Sequence, residues 1–205
     1  RQRQMCIRDR VQTVFQDHNH RSLSQVVGMR YFNVYGPREA HKGPMASMVY
    51  QLFNQYKNNG VVNLFRGNNG ISDGGQRRDF VSVEDVVSIN LYMFEHQEFS
   101  GIVNVGSGKA RTFNDLALTV INLCRLEEGE KCLTIDEATG LGCITYFPMP
   151  PDLQERYQDF TEASLGSLRE SGYGSDMKGL EDGVSSYVQT LLRDQHIPCK
   201  RQLGK

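Results

Sequence analysis

Residues 25–37 have the sequence QVVGMRYFNVYGP, a mostly apolar run that ends in a Gly-Pro turn signal. Such a run is typical of a strand that is buried on both faces of a parallel sheet. Three shorter strand candidates follow at residues 61–65, 102–105 and 143–147. Helical patterns separate these candidates, so the sequence predicts the α/β fold class.

The first predicted helix begins at Gly43 and Pro44, because a proline at the first helical position loses no hydrogen bond, and it ends at Gly60. Apolar residues at intervals of three and four predict the buried face of this helix. These residues are Met45, Met48, Val49, Leu52, Phe53 and Tyr56.

Capping patterns predict the next two helices. Ser82 with Asp85 precedes one of them, and Thr112 with Asp115 precedes the other. A fourth helix is expected over about 161–172, and a fifth near the C-terminus. The apolar faces are Val86, Val87, Leu91 and Phe94 in the second helix, Phe113, Leu116, Val120, Ile121 and Cys124 in the third, and Leu180, Val184, Tyr187, Val188, Leu191 and Leu192 in the last.

Composition narrows the class of protein. The chain has 205 residues, 23 Lys and Arg against 24 Asp and Glu, and a mean hydropathy of -0.49. Without a basic excess, nucleic acid is not an expected partner, and no stretch approaches the roughly 18 apolar residues of a membrane helix. The N-terminus lacks the apolar segment of a signal peptide. Residues 1–10 show no periodicity, and we interpret them as a non-native scar. This interpretation implies that the natural protein begins further upstream.

Five scattered cysteines without a Cys-x-x-Cys pair indicate free thiols in a reducing, cytoplasmic compartment. Two short pairs could hold a metal, His18 with His20 and His196 with Cys199, but neither has a second ligand pair at zinc spacing. We therefore predict no metal site. The sequence also contains no Gly-x-Gly-x-x-Gly, so it lacks a dinucleotide fingerprint.

Residues 30–38, RYFNVYGPR, resemble the strand-and-loop signature of extended short-chain dehydrogenase/reductases that act on sugar nucleotides. The continuation over 39–47, EAHKGPMAS, resembles more narrowly the ADP-L-glycero-D-manno-heptose 6-epimerases. Further matches are QRRDFVSVEDV at 76–86, NVGSG at 104–108 and RYQDFT at 156–161. The chain looks like the C-terminal part of such an enzyme, without its nucleotide fingerprint and Tyr-x-x-x-Lys segment.

The resemblance implies the last part of a Rossmann-type parallel sheet and a small α/β substrate-binding domain. The expected divisions are 11–43 for the end of the dinucleotide-binding domain, 44–77 for a substrate-domain segment, 78–108 for a returning Rossmann segment, and 109–205 for the substrate domain and C-terminal helices. Connections near 66–78 and 126–142 are long, which favours a functional or substrate-covering role.

The implied activity is an isomerase that keeps NADP bound and inverts C6'' of ADP-heptose for synthesis of the lipopolysaccharide core precursor. Because C6'' carries no acidic proton, the epimerisation needs transient oxidation to a ketone and return of a hydride. The resemblance further implies a cytoplasmic homo-oligomer, a pentamer in the family. This chain alone is expected neither to hold NADP tightly nor to turn over.

Site residues follow from the resemblance. Lys42 is the expected proton-handling and cofactor-binding lysine, and Val34 packs near the cofactor. Asn33, Phe65, Gly67, Arg78 and Tyr157 are expected to contact substrate. A lysine acts as a base near neutral pH when burial or a neighbouring cation disfavours its ammonium form, and the helix start near Met45, with Arg38 and His41, could supply this.

Each assignment has a plainer alternative. Lys42 could be a solvated loop lysine, and Asn33 could satisfy a turn while Val34 packs in the core. Phe65 could be a core residue, Arg78 could form a surface salt bridge, and Tyr157 could be an amphipathic rim residue.

Some positions depart from the family pattern. Pro44 and Gln51 stand where many members have Ser and His, which puts side-chain contacts from these positions in doubt. The sequence over 106–108 is better explained by a strand-terminating turn than by a phosphate loop. The rival functions are a sugar-nucleotide 4-epimerase or 4,6-dehydratase, and a non-catalytic binding protein of the same fold.

Overall fold

A computed structural model describes residues 25–68, 70–154 and 157–196 of the chain. The proposed scar at 1–10, the histidines at positions 18 and 20, and Cys199 lie outside the described residues. The strands are β1 (Val27–Tyr31), β2 (Asn33–Tyr35), β3 (Val62–Phe65), β4 (Arg77–Ser82), β5 (Gly101–Val105), β6 (Ala110–Thr112) and β7 (Ile144–Phe147). The α-helices are α1 (Met48–Asn59), α2 (Val83–Glu95), α3 (Phe113–Glu127), α4 (Ile135–Gly140), α5 (Pro151–Gln154), α6 (Gly166–Glu170) and α7 (Leu180–His196).

The strands pair in three small sheets. β1 pairs with β5 in parallel, β3 pairs with β7 in parallel, and β4 lies between parallel β2 and antiparallel β6. The α/β class expected from the sequence is confirmed. The expected domain divisions stay a prediction, because the pairings do not test them.

The strand expected over 25–35 is divided at Phe32. Its backbone N–H donates to the Val105 carbonyl at 3.0 Å, and beyond it the chain leaves β5 and pairs with β4, Asn33 opposite Phe80. Burial on both faces is wrong for part of this run, since Tyr31 is 50% exposed. The change of partner brings the end of β2 beside the strand that carries Arg78.

Helix α1 begins later than the sequence pattern predicts. Residues Ala40–Met45 form a 3-10 helix that is interrupted at Gly43, whose φ of 53° is left-handed. Ser47 then caps α1 by accepting a hydrogen bond from the Tyr50 N–H. Pro44 is therefore not the first residue of α1, and Met45 is 84% exposed rather than part of the buried face. Gly60 closes the helix in the left-handed conformation, as expected.

Helix α2 turns a different face to the core. Ile89 and Met93 are buried against the β5 side chains, whereas the predicted face is exposed at Val87, Leu91 and Phe94. The expected reciprocal capping box does not form, because the Asp85 carboxylate accepts from the Lys178 N–H instead. Periodicity alone predicted a wrong face here, since apolar residues occur on two sides of the helix.

The main core contains α1, α3 and α7. The Thr112 and Asp115 capping box begins α3, and all five residues of its predicted apolar face are buried. Val184, Tyr187, Val188 and Leu192 of α7 are buried in the same cluster.

Two predictions in the later part of the chain need correction. The segment 126–142 is not a long loop throughout, because Thr134 and Glu137 form a capping box that begins α4. The helix expected over about 161–172 is confined to α6, Gly166–Glu170.

Two findings concern membranes and metals. Within residues 25–68, 70–154 and 157–196, no helix combines the length and apolar character needed to cross a bilayer. In the same part of the chain, no three His, Cys, Asp or Glu side chains lie close enough together to hold a metal ion.

A buried carboxylate on β4 joins segments that are distant in sequence. Asp79 is fully buried and accepts hydrogen bonds from the Ser107 N–H at 2.6 Å, the Ser107 hydroxyl at 2.7 Å, the Gly108 N–H at 2.9 Å and the Ala163 N–H at 2.9 Å. The turn at 106–108 thus surrounds a protein carboxylate, which agrees with the turn predicted there. Gly106 is required, because a Cβ would lie 2.7 Å from Asp79 Oδ2.

We predict that Asp79→Asn destabilises the chain by roughly 3 kcal/mol, because an amide cannot accept from all four donors and leaves buried N–H groups unpaired. Urea unfolding followed by circular dichroism measures the change. The control is Asp176→Asn, at a fully exposed carboxylate, which should leave the unfolding midpoint unchanged. Equal midpoints for the two variants would contradict the structural role of Asp79.

Candidate functional site

Three of the expected substrate residues meet at one cavity. A cavity of about 430 Å³ lies between α1, β3, β4 and β7, and Phe65, Arg78 and Tyr157 all contribute to its wall. The other lining residues are Pro44, Met48, Gln51, Gln55, Asn63, Leu64, Gln76, Phe113 and Phe147. Residues separated by almost one hundred positions in sequence therefore face the same space.

This cavity is the larger of two described for the chain, and Arg78 provides its positive charge. Its side chain is buried, its Nη1 donates to the Arg77 carbonyl at 2.8 Å, and its guanidinium carbon lies 4.7 Å from the centroid of the Tyr157 ring. Burial lowers the pKa of Arg78 from its ordinary value. Among the described residues, no carboxylate lies within 4.0 Å of the guanidinium, so the surface salt bridge considered above is absent there. A planar, buried cation of this kind suits a bidentate anion.

Aromatic rings form the neighbouring wall. The Phe65 ring lies 4.8 Å from that of Phe147 and 5.9 Å from that of Tyr157, the latter edge to face. Burial raises the pKa of Tyr157, with Asp159 adding to this and Arg78 opposing it. The Tyr157 hydroxyl is thus a neutral hydrogen-bonding group beside a cation, and the rings offer flat apolar surface to a ligand ring.

Amide side chains complete the wall, and most of them lie outside the site residues expected from the sequence. Gln51 donates to the Gly43 carbonyl at 2.8 Å, and Gln76, almost fully buried, donates to the Arg66 carbonyl at 2.9 Å. Gln55 and Asn63 line the same cavity. A usable signal was present on α1, where Met48, Gln51 and Gln55 recur at helical spacing beside the apolar face.

The two departures from the family pattern both lie at this wall. Pro44 and Gln51 line the larger cavity, at positions where the resemblance implies Ser and His in many members. Pro44 offers no N–H donor, and one N–H of the Gln51 amide is donated to the Gly43 carbonyl. The Gln51 side chain keeps its second N–H as a donor and its carbonyl oxygen as an acceptor.

Asn33 and Val34 lie at a second, smaller cavity of about 230 Å³. All three residues of β2 line this cavity, together with Phe80 of the paired strand β4. Met48 lines both cavities, so they adjoin at the start of α1. Ser47 contributes to the smaller one.

Lys42 is not among the described residues that line either cavity. Its side chain is half exposed in the 3-10 turn, and its Nζ lies 3.8 Å from Glu39 Oε2. The expected helix start beside it is displaced to Met48, and its recorded ion partner is a carboxylate rather than the cations Arg38 or His41. The electrostatic environment expected for a base is therefore not the one found.

Gly67 is likewise absent from the described walls of both cavities. Its N–H donates to Asp73 Oδ1 at 2.8 Å, and a Cβ at this position would collide with the Ile71 carbonyl oxygen. The close approach that requires glycine here is to the chain's own loop.

Parallel strands flanked by helices, with an aromatic and cationic cavity beside them, define a Rossmann-like α/β protein. Residues 11–106 match the model of the NAD dependent epimerase/dehydratase family. The chain is 49% identical over 170 residues to an ADP-L-glycero-D-manno-heptose-6-epimerase of Thiobacillus denitrificans, a match that covers 83% of the chain and 51% of the relative. The chain thus spans about half the length of the curated relatives it matches.

Two solved structures are similar to the chain in fold. The crystal structure of the Helicobacter pylori ADP-L-glycero-D-manno-heptose-6-epimerase is similar at a TM-score of 0.61 and 30% identity, covering 81% of this chain and 44% of that one. A UDP-N-acetylglucosamine 4-epimerase of Methanobrevibacter ruminantium shares the fold, with a TM-score of 0.66 at 20% identity over 89% of this chain and 51% of that one. The resemblance to ADP-heptose 6-epimerases is confirmed.

We predict that Arg78→Lys weakens binding of ADP to the chain by roughly tenfold, because an ammonium cannot bind a diphosphate through two parallel hydrogen bonds. Isothermal titration calorimetry measures the dissociation constant. The matched control is Arg77→Lys on the exposed side of the same strand, which should leave ADP affinity unchanged. Equal losses of ADP affinity in both variants would contradict a specific role of Arg78 in binding the diphosphate.

Proposed function

We propose that the full-length protein containing this chain converts ADP-D-glycero-D-manno-heptose to ADP-L-glycero-D-manno-heptose by inversion at C6''. The supporting observation is that Phe65, Arg78 and Tyr157 converge on one cavity of about 430 Å³ in a chain that is 49% identical to such an epimerase. The aromatic wall suits an adenine or sugar ring, and the buried guanidinium suits the diphosphate that joins them.

We propose NADP as the cofactor, and the name of the matching family supports a nicotinamide. The smaller cavity fits the ring end of such a cofactor, because Val34 gives apolar surface and Asn33 an amide, while none of its described lining residues is cationic. Val34 and Asn33 would hold the nicotinamide ring there, and the ring would supply reversible hydride transfer at C6''. No fingerprint for the cofactor's pyrophosphate occurs in these 205 residues.

In this proposal the chain's own residues bind, orient and exchange a proton. Arg78 holds the diphosphate, and the rings of Phe65 and Tyr157 fix the ligand beside it. Asn33, the first residue of β2, orients the sugar between the two cavities. Lys42 moves a proton at the C6'' hydroxyl. Gly67 contributes to the substrate site through the loop that follows Phe65. Since Lys42 lines neither described wall, this role requires its flexible side chain, and not a movement of the turn, to carry the ammonium to the sugar.

The wider assignment follows from the same proposal. The product serves lipopolysaccharide core synthesis in the cytoplasm, and the full-length protein is a homo-oligomer, with a pentamer as the expected state.

We predict that Lys42→Met in the full-length protein lowers kcat for ADP-heptose epimerisation by about 10²–10⁴, the usual contribution of a general acid or base. The rate is measured by separating the two epimers with chromatography. Lys131→Met, at an exposed lysine, is the matched control and should keep the original rate. A Lys42→Met enzyme of normal speed would overturn the proposed proton role.

We also predict that the 205-residue chain binds NADP weakly and does not turn over, because it lacks the pyrophosphate fingerprint. Fluorescence titration with NADPH and an epimerase assay test both statements. The full-length protein provides the comparison. A submicromolar dissociation constant for the 205-residue chain would contradict the prediction.

A further inference from the structure

Glu39 is a buried carboxylate in the turn that carries Lys42. It is 3% exposed, and it precedes the 3-10 helix Ala40–Met45. Its Oε2 accepts from the Ser47 N–H at 2.7 Å, and its Oε1 accepts from the Ser47 hydroxyl at 2.5 Å. Both ends of the turn that contains Lys42 are therefore joined through one side chain.

The same carboxylate reaches the C-terminal helix. The Tyr187 hydroxyl of α7 donates to Glu39 Oε1 at 2.9 Å within the core. Burial raises the pKa of Tyr187, and the Glu39 carboxylate adds to this, so the hydroxyl stays protonated and able to donate. Hydrogen bonds to a buried carboxylate are among the stronger ones in proteins.

Lys42 and the smaller cavity both adjoin this cluster. The Lys42 Nζ is 3.8 Å from Glu39 Oε2, and Ser47, bonded to the same carboxylate, lines the smaller cavity. The turn also carries its own backbone bonds, from the Lys42 N–H to the Glu39 carbonyl at 2.9 Å and from the Ala46 N–H to the Gly43 carbonyl at 3.1 Å.

We propose that Glu39 is a positioning residue, which with Ser47 and Tyr187 fixes the Lys42 turn relative to the smaller cavity. The inference rests on the proposed proton role of Lys42. Glu39 touches no ligand in this proposal and acts through the turn. Its loss is expected to misplace the ammonium while leaving the larger cavity, and hence substrate affinity, intact.

The first test measures amide hydrogen exchange of residues 39–47 in the 205-residue chain. We expect exchange of the Lys42, Ala46 and Ser47 amides to be roughly tenfold faster in Glu39→Gln and several-fold faster in Tyr187→Phe, because local opening becomes easier. The matched control is Tyr173→Phe, which removes a hydroxyl from a buried tyrosine of another cluster. Unchanged exchange in both test variants would overturn the proposal, and Tyr187→Phe serves alone if Glu39→Gln fails to fold.

The second test separates positioning from stability in the full-length protein. We expect Glu39→Gln to lower kcat by roughly tenfold while KM for ADP-heptose stays within about twofold, because misplacement of a reacting group affects the chemical step. Normal kcat in Glu39→Gln together with an inactive Lys42→Met overturns this inference alone. Normal epimerase activity in Lys42→Met overturns the proton role of Lys42 and, with it, this inference. Absence of ADP-heptose epimerisation by the unaltered full-length protein overturns the proposed function.

Discussion

The buried carboxylate of Asp79 is the interaction on which the described fold depends, because it joins three parts of the chain. It lies on β4, and its four donors come from the turn after β5 and from residue 163. Water is excluded from this position, so each oxygen must be satisfied by these partners. The strand β4 is thereby held between β2 and β6, and its neighbour Arg78 is held in the larger cavity.

Side chains on the two faces of β4 have different surroundings. Arg78 and Asp79 are consecutive, so their side chains leave the strand on opposite faces. One face meets the aromatic cavity and the other meets the turn at 106–108. The two cavities share Met48 at the start of α1, and the Ser47 cap of that helix also bonds Glu39. The binding surface and the Lys42 turn are therefore joined through the N-terminus of one helix.

Local patterns in the sequence predicted what local forces control. The Thr112 cap, the Gly60 stop and the buried face of α3 are all present, because each depends on neighbouring residues. The predictions of the buried face of α2 and of the first residue of α1 were wrong. Packing decided the face, and the left-handed conformation of Gly43 separates the 3-10 turn from α1. Of the site, the resemblance located Phe65, Arg78 and Tyr157, whereas Glu39 gave no signal because a buried carboxylate and a solvated one look alike in sequence.

The bond between Tyr187 and Glu39 spans 148 positions, so it has a consequence for the order of events during synthesis. The turn around Lys42 leaves the ribosome long before α7 exists, and closing so long a separation is slow compared with forming local structure. Until the last helix docks, the Glu39 carboxylate lacks one of its partners. The Lys42 turn is thus among the last parts of the described structure to reach its final form, and a nascent chain cut short before residue 187 carries this turn without its bond to Tyr187.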